Sequence, residues 1–389
     1  MKPYRLGWEP AIFLMLLAYP LLPVFESSFF ALTKRSLGDQ MPTVFIFAIL
    51  ALGLNVVVGY TGLLHLGIAA FFAVGAYVAG ILTVAAYPFN VPFPVVLVAG
   101  TLAAALLGLL LGAPTLRLRG DYLALVTLGF GEVVRFGLKN LDAVTAGAKG
   151  LSPLPPPTGA ETGIDWISDY RPFYYLTLVL LIGVSVVLSN LERSRLGRAW
   201  IALREDELAA NCMGLNPAKL KLAAFALGAG LAGMAGVLYA TRLTSTAAPD
   251  AYDFNRSIFI LCCVILGGLG SRPGVLLGVF LLVGFDNILS PILDTWTQDP
   301  FRSGDGPISR FLRRALDQLP SGEGRIYRTF TGWRLCIFGL ALILMMRFRP
   351  EGLIASSRVK HELHPDEAVA ATVHPVTLHG NRREPEGQS

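Results

Sequence analysis

Two ionisable residues of opposite charge, Glu132 and Arg135, lie within an apolar segment of the chain. Their spacing places them one turn apart on the same face of a helix. Charged side chains inside a bilayer are costly, and they usually face the interior of a helix bundle or an aqueous pathway. The pair therefore indicates either a role in moving a polar solute or a structural ion pair in which Arg135 reaches outward.

Further polar and glycine residues interrupt an apolar block that runs from Val44 to Ala86. The block is about twice the roughly 20 residues that a helix needs to cross a membrane. Gly59 and Gly62 lie near its middle, where glycine is typical of a turn. We predict two membrane spans joined by a tight or re-entrant turn, with Asn55 forming a hydrogen bond between helices.

The segment from Gly197 to Gly214 is too polar to span a membrane and too regularly patterned for an irregular loop. As a helix, it places Trp200 and Leu203 on one face and Glu205 and Asp206 largely on the opposite face. An amphipathic helix between two membrane spans either lies on the membrane surface or inserts into a groove of a partner protein. The pattern leaves both interpretations open.

Motifs that would indicate an enzyme are missing or lie in the wrong context. The run from Gly228 to Gly233 matches G-x-G-x-x-G, but no predicted strand precedes it, so we expect it to pack membrane helices closely. The chain has no G-x-x-x-x-G-K-[ST] loop, so we expect any ATP to be bound and hydrolysed by partner subunits. The apolar segments contain no Ser, His and Asp set for catalysis and no His and Glu cluster with the spacing of metal ligands. We therefore predict neither an enzyme nor a bound cofactor or metal.

The composition indicates that these residues lie in a membrane protein. Of 389 residues, 53% are hydrophobic and 15% are charged, whereas soluble domains have about 25% charged residues. The net charge of +5 is spread over short connections, which does not favour binding to nucleic acid. We predict an all-α, polytopic transmembrane helical bundle of about ten spans, or eight at the fewest. The predicted spans are residues 11–32, 42–60, 63–86, 95–113, 121–140, 172–191, 218–241, 256–271, 274–293 and 330–348.

Arginine and lysine residues between the spans predict the orientation of the chain. The segment from Glu192 to Lys221, which includes the loop at about 192–217, carries four arginines together with Lys219 and Lys221, and this places the loop in the cytoplasm. With an even number of spans both termini are cytoplasmic, and the loops at about 141–171 and 294–329 are extracytoplasmic. Residues 1–350 then form one transmembrane domain, and the polar residues 351–389 form a flexible cytoplasmic tail. The histidines of that tail are too irregularly spaced for a metal site.

Several stretches of the chain resemble the LivM-type permeases of branched-chain amino-acid ABC transporters, in the same order. The amphipathic segment resembles the coupling-helix region of that family. The other main stretches are Asn55 to Tyr77, Leu125 to Leu151 and Ile337 to Leu353. The chain departs from the pattern in several places. Glu207 lies one place early in the E-A-A-x-x-x-G motif of importers, and the later I-x-L-P part of that motif is absent. The stretch from Thr145 to Gly150 lacks the expected paired glycines, and His65 replaces a common serine. The contacts with the ATPase and the solute specificity can therefore differ from those of the family.

The resemblance implies a permease subunit in the bacterial inner membrane. Its partners would be a second, homologous permease subunit, two cytoplasmic ATP-binding-cassette ATPases and an extracytoplasmic solute-binding protein. The cargo would be leucine, isoleucine or valine. Similar permeases carry urea or short amides, and an ion-coupled secondary transporter that uses Glu132 is a further alternative.

The resemblance also divides the candidate site residues into two groups. The residues expected to couple the chain to the ATPases are Gly197, Arg198, Arg204, Glu205, Asp206, Ala209, Ala210 and Gly214. The residues expected along the translocation pathway are Asn55, Gly59, Tyr60, Gly62, His65, Glu132, Arg135 and Gly150.

Overall fold

The computed structural model describes residues 36–89, 91–115, 121–157 and 169–289, with Trp166 and short stretches between 16 and 21 and between 339 and 354. These residues are largely helical and contain no β-strand, which confirms the predicted all-α class. The main helices are α1 Leu37–Asn55, α2 Ile68–Thr83, α3 Phe93–Thr115, α4 Asp121–Asn140, α5 Arg171–Arg193, α6 Arg195–Glu205, α7 Glu207–Cys212, α8 Pro217–Leu243, α9 Phe254–Gly267 and α10 Arg272–Gly284. α1 continues as a π-helix over Val56–Tyr60, and α10 does so over Phe285–Leu289.

Helix α1 lies at the centre of the bundle. It is apolar on every side, which is typical of a helix that is buried all round, and Ile46, Leu50 and Leu54 have no exposed surface. Helices α5, α8, α9 and α10 pack around it. The polar Asn55 at its end is equally buried, so its side chain must find its partners inside the protein.

Helix α8 packs closely against α2 and α3, and glycines make the approach to α2 close. A Cβ atom on Gly75 of α2 would lie 2.0 Å from the carbonyl oxygen of Gly233 in α8. A Cβ atom on Gly236 would lie 2.0 Å from the carbonyl oxygen of Phe72. Backbones this close leave room for glycine alone. The run from Gly228 to Gly233 is therefore a helix-packing surface, as predicted.

Four of the described helices are long and apolar enough to cross a membrane: Leu37–Tyr60, Phe93–Pro114, Arg171–Arg193 and Pro217–Leu243. Helix α9 has only 14 residues, and α10 has 13 before its π-helical continuation of 5 residues. At 1.5 Å per residue, each is shorter than a hydrocarbon core of roughly 30 Å. The structure thus agrees with a membrane-embedded helical bundle, and the count of about ten spans stays a prediction.

The predicted spans at 11–32 and 330–348 lie largely outside the described residues. The second predicted extracytoplasmic loop at 294–329 and nearly all of the tail at 351–389 also lie outside them. Of the first predicted extracytoplasmic loop, the structure describes residues 141–157, Trp166 and residues 169–171.

The two ends of the bundle are named here after helix α8. At the α8 C-terminal end, Arg242 donates a hydrogen bond to the carbonyl oxygen of Asp39, in the first turn of α1, at 2.8 Å. At the α8 N-terminal end, Arg272 forms an ion pair with Glu192 of α5 at 3.0 Å. Helices α6 and α7 also lie at the N-terminal end, because they connect α5 to α8. The backbone N–H of Leu154, in the first predicted extracytoplasmic loop, donates to the carbonyl oxygen of Thr244, directly after α8, at 2.9 Å. The loop predicted to be cytoplasmic and the described part of this loop are therefore at opposite ends.

Candidate functional site

The π-helical end of α1 is followed by a short turn before α2 begins at Ile68. Gly62 in this turn has φ +70°, a left-handed conformation that glycine adopts without strain. The Oδ1 atom of Asn55 accepts a hydrogen bond from the backbone N–H of Gly270 at 2.9 Å. The predicted tight turn between two helices is confirmed. Asn55 was predicted to bond to another helix, but its observed partner, Gly270, lies in the turn between α9 and α10.

The predicted coupling segment consists of two helices. Between α6 and α7, Asp206 has an extended backbone with φ −152° and ψ 113°. Its carboxylate accepts hydrogen bonds from the backbone N–H groups of Leu208 at 2.8 Å and Ala209 at 3.1 Å. The prediction of one continuous helix is wrong at this residue, because an aspartate that caps the second helix must leave the helical conformation. Asp206 therefore has a capping role within the chain.

Three more of the predicted coupling residues determine the backbone path or the packing of this segment. They do not offer a side chain to a partner protein. A Cβ atom on Gly197 would lie 2.3 Å from the carbonyl oxygen of Leu191, so the start of α6 requires glycine there. Ala210 is buried. Gly214 is exposed and has φ +83°, which lets the chain turn from α7 towards α8.

An exposed surface remains on the same segment. Arg198, Glu205 and Ala209 are exposed, and the apolar side chains of Leu208 and Met213 are 65% and 84% exposed. Exposed apolar side chains on a polar segment are typical of a protein-binding surface. Leu208, Ala209 and Met213 are called the docking patch below. Sequence analysis missed Leu208 and Met213, because their exposure follows from the break at Asp206.

Arg204 is directed to the end of α1. Its Nη1 atom donates a hydrogen bond to the carbonyl oxygen of Gly59 at 2.7 Å. A Cβ atom on Gly62 would lie 2.9 Å from its Cγ, and one on Gly59 would lie 2.6 Å from the backbone nitrogen of Gly270. Arg204, Gly59, Gly62, Gly270 and Asn55 thus converge at one place, which is called the Arg204 junction below. Four of these five residues were predicted as site residues in two separate groups.

Two further contacts fasten α6 and α7 to α8. The indole Nε1–H of Trp200 in α6 donates to the carbonyl oxygen of Leu220 at 2.8 Å. The ammonium group of Lys221, whose side chain is 6% exposed, forms an ion pair with Glu207 of α7 at 2.7 Å. A buried ammonium group needs such a partner. Lys221 was predicted only as part of the positive charge of the loop, because its burial depends on the packing of α7.

His65 lies in the turn between α1 and α2 and is 1% exposed. Its ring stacks on Phe71, with 5.5 Å between the centroids, and meets the edge of Phe225 at 5.4 Å. Neither ring nitrogen has a hydrogen-bond partner among the described residues. The adjacent Leu66 donates its backbone N–H to the hydroxyl of Thr127 in α4 at 3.1 Å. The turn is therefore packed against α4, and its histidine is enclosed by aromatic rings.

Arg135 of α4 is the centre of a cluster of charges. Its Nε atom donates to Oε2 of Glu132 at 2.8 Å, and its Nη1 atom donates to Oδ1 of Asp250 at 2.5 Å. Lys139 donates to Oδ2 of Asp250 at 2.9 Å. The hydrogen bond from Lys139 and the charge of Arg135 lower the pKa of the Asp250 carboxyl. The predicted ion pair is confirmed, whereas its role in the pathway stays a prediction.

The same helix has an exposed face beside this cluster. Its large apolar members are Tyr122, Leu125, Val126, Val133 and Phe136. Gly129 and Gly137 are also exposed, and a Cβ atom added at either would meet nothing within 4 Å. Helix α4 therefore presents a face with small and large apolar residues and carries charged groups within the same 20 residues.

Gly150 lies at the α8 C-terminal end, away from the Arg204 junction. It has φ +72°, and a Cβ atom there would lie 2.3 Å from the carbonyl oxygen of Ala247. Next to it, the backbone N–H of Leu151 donates to the hydroxyl of Thr246 at 2.8 Å. The predicted pathway residues therefore do not form one site. Sequence analysis missed Asp250 and Lys139 at this end, since a single charge in a short connection carries no signal about its partner.

The buried central helix, the membrane-length helices around it and the paired charges within the bundle define a polytopic helical membrane protein. The sequence profile of the family described as "Branched-chain amino acid transport system / permease component" matches residues 38–316. The chain belongs to this permease family, which confirms the resemblance inferred from its motifs.

Relatives with printed names support the same assignment. The chain is 38% identical over 352 residues to the high-affinity branched-chain amino acid transport system permease protein LivM of Escherichia coli (strain K12), which covers 85% of this chain and 73% of the relative. The LivM protein of Salmonella typhimurium is 38% identical over 357 residues, or 87% of this chain and 74% of the relative. A xylose transport system permease protein, XylH of Escherichia coli (strain K12), is 33% identical over 138 residues, or 33% of this chain and 34% of the relative. No solved structure matches the chain.

Proposed function

We propose that this chain is the membrane permease subunit of an ATP-binding-cassette importer for leucine, isoleucine and valine. It forms part of a translocation pathway in the bacterial inner membrane and works by alternating access, driven by ATPases that bind at its cytoplasmic side. The observation that carries the proposal is the 38% identity to a high-affinity branched-chain amino acid permease over 85% of this chain. The family profile, which matches residues 38–316, includes the core, both ends of the bundle and the segment between α5 and α8.

The docking patch supports an ATPase partner. Leu208 and Met213 are exposed beside a segment that two contacts, from Trp200 and Lys221, hold firmly against the bundle. A rigidly held segment with exposed apolar side chains is suited to insertion into a groove of another protein. We assign two ATPase subunits to the complex, one for each permease, and place the α8 N-terminal end in the cytoplasm.

The exposed face of α4 supports a second, homologous permease subunit. A helix with Glu132, Arg135 and Lys139 is poorly suited to lipid, because charged groups in a bilayer usually face a bundle interior or an aqueous cavity. Its small exposed residues, Gly129 and Gly137, suit close packing against another helix. We assign the pathway to the space between the two permeases. An extracytoplasmic binding protein would deliver the solute at the α8 C-terminal end, in a chain of about ten spans with both termini in the cytoplasm.

Uptake by the reconstituted complex tests the proposal. The chain is combined in proteoliposomes with the second permease, the ATPases and the binding protein that are encoded beside it. We expect ATP-dependent uptake of labelled leucine, isoleucine and valine, and none of xylose. Uptake of urea or acetamide without uptake of leucine would contradict the assigned cargo and favour the alternative in which the same architecture carries short amides.

A second experiment separates the importer from an ion-coupled secondary transporter. In the structure Glu132 forms an ion pair with Arg135 at 2.7 Å, so its carboxylate is engaged by a side chain of the same helix. We expect the purified chain alone, in vesicles with a pH gradient and no ATP, to take up no leucine. Uptake under those conditions would favour the secondary transporter.

A further inference from the structure

Arg204 connects the two surface helices to the end of the central helix. Its side chain begins in α6, and its Nη1 atom reaches the carbonyl oxygen of Gly59 at 2.7 Å. One turn earlier on the same face of α6, the indole of Trp200 donates to the carbonyl oxygen of Leu220 in α8 at 2.8 Å. Helix α6 therefore bridges the start of α8 and the end of α1. A displacement of α6 acts on both helices.

The end of α1 combines a rare backbone conformation with a buried polar group that has no hydrogen-bond partner among the described residues. The π-helix Val56–Tyr60 is a rare conformation that occurs frequently at functional sites. The Nδ2 group of Asn55 is buried and has no hydrogen-bond partner among the described residues. A buried donor without a partner is unfavourable. A different conformation of this segment can therefore be close in free energy.

The same segment is linked to a third element. Asn55 accepts the backbone N–H of Gly270 at 2.9 Å, in the turn that separates α9 from α10. No Cβ atom fits on Gly59 between these groups, since it would lie 2.1 Å from Oδ1 of Asn55 and 2.6 Å from the nitrogen of Gly270. Because the contact is this close, a shift of the Gly59 carbonyl is transmitted to the turn before α10.

We infer that Arg204 is a positioning residue that transmits the movement of α6 and α7 to the π-helical end of α1, while the docking patch makes the contact with the ATPase. The inference rests on the proposed function, since it requires an ATPase partner to move these helices. It assigns Arg204 and Leu208, four residues apart in the chain, to separate steps. Leu208 and Met213 hold the ATPase, and Arg204 converts its movement into a change at Asn55, Gly59 and Gly270.

Variants of the full complex in proteoliposomes test whether Arg204 and the docking patch have these separate roles. For Arg204→Gln we expect the ATPase subunits to co-purify in the wild-type ratio, while leucine uptake and leucine-stimulated ATPase activity fall roughly tenfold or more, as for the loss of one charge-assisted hydrogen bond. Arg204→Lys keeps a donor and should restore part of the activity. Arg195→Lys, an exposed arginine in the same helix, is the matched control and should behave as wild type. Leu208→Ser with Met213→Ser should instead lose the ATPase subunits.

Hydrogen exchange gives a second measurement that does not depend on transport and leaves Arg204 in place. The backbone N–H of Gly270 donates to Oδ1 of Asn55 at 2.9 Å, so its exchange rate reports the contact between the end of α1 and the turn before α10. In the wild-type complex we expect this rate to differ between the nucleotide-free state and the state with a bound ATP analogue. In Arg204→Gln we expect that difference to disappear.

Three results would overturn the inference. They are loss of the ATPase subunits in Arg204→Gln, wild-type uptake in Arg204→Gln, and equal exchange of the Gly270 N–H in both nucleotide states of the wild-type complex. A fall in activity that is matched by a fall in the unfolding temperature, and not relieved in Arg204→Lys, would also overturn it in favour of a purely structural role. Failure of the proposed function is distinct, because the wild-type complex would then take up no leucine.

Discussion

Arg135 and Asp250 form an ion pair with 2.5 Å between Nη1 and Oδ1, although 115 residues separate them in the chain. Arg135 belongs to α4, and Asp250 lies in the 3-10 turn Pro249–Tyr252 between α8 and α9. Lys139, one turn further along α4, holds the other carboxylate oxygen at 2.9 Å. The exposed face of α4 lies beside these groups, so the pairing with Asp250 ties that helix to the rest of the bundle at the α8 C-terminal end.

We predict that Asp250→Asn lowers leucine uptake by roughly twofold to fivefold, the change that corresponds to one exposed ion pair. The amide cannot balance the charges of Arg135 and Lys139, so α4 loses its orientation relative to the turn. The unfolding temperature should fall by a small, measurable amount, because the carboxylate is largely exposed. Asp142→Asn, an exposed aspartate at the same end, is the control, and equal uptake in both variants would contradict the prediction.

The pH dependence of this tie follows from the lowered pKa of Asp250, which is caused mainly by the hydrogen bond from Lys139 and further by Arg135. A lowered pKa in the folded state means that the pairing stabilises the fold at pH above the ordinary aspartate value of about 3.9, and that this stabilisation is lost as the pH falls through the lowered pKa. The difference in unfolding temperature between wild type and Asp250→Asn should be constant from about pH 5 to 8. It should shrink only below about pH 4. A difference that varies with pH near neutrality would contradict the assignment.

The features that sequence analysis predicts correctly depend on local patterns. The apolar block from Val44 to Ala86 is too long for one span and has glycines at its centre, so a turn between two helices follows from length and backbone freedom alone. The small residues from Gly228 to Gly233 lie in an apolar helix, and their packing role follows from their size. Each of these patterns is complete within one segment of the chain.

The features that cannot be predicted from the sequence depend on partner residues elsewhere in the chain. The direction of Arg204 is decided by the carbonyl group of Gly59, which is 145 residues away. The helix breaks at Asp206 because this residue caps α7 instead of continuing α6, and the sequence pattern does not strongly favour either conformation. The pairing of Asp250 with α4 is equally non-local. Burial and pairing of single charges are therefore the part of the candidate site that needs the three-dimensional structure.

Close packing between α2 and α8 predicts a large effect of one added methyl group. In Gly236→Ala the Cβ atom would lie 2.0 Å from the carbonyl oxygen of Phe72, so the helices must separate. We expect a loss of about 1–3 kcal/mol in the free energy of unfolding, measured by thermal unfolding in detergent. Gly183→Ala in α5, where nothing lies within 4 Å, should be neutral or stabilising by up to about 1 kcal/mol. Equal effects in the two variants would disprove the close approach.

The ion pair between Lys221 and Glu207 predicts a non-additive double variant. Glu207→Gln leaves the ammonium of Lys221, 6% exposed, without its carboxylate, and should reduce the free energy of unfolding by about 1–3 kcal/mol. Adding Lys221→Met removes the buried charge and should recover most of that loss. Thermal unfolding of the single and double variants measures the coupling. Glu205→Gln, at an exposed position, is the control, and simple addition of the two effects would argue against a buried pair.

The surroundings of His65 predict that its removal does not weaken the fold. Both ring nitrogens are buried without a partner among the described residues, so His65→Leu should leave the free energy of unfolding unchanged or raise it by about 1 kcal/mol. Leucine has a volume similar to that of asparagine, but Asn55→Leu removes the hydrogen-bond acceptor of the Gly270 N–H. This substitution should lower the free energy of unfolding by about 1–3 kcal/mol. Thermal unfolding of both variants makes the comparison. If His65→Leu instead destabilises the protein as much as Asn55→Leu does, the histidine has a polar partner. If it is stable but transports less leucine, the imidazole is retained for a conformation in which its nitrogens are paired.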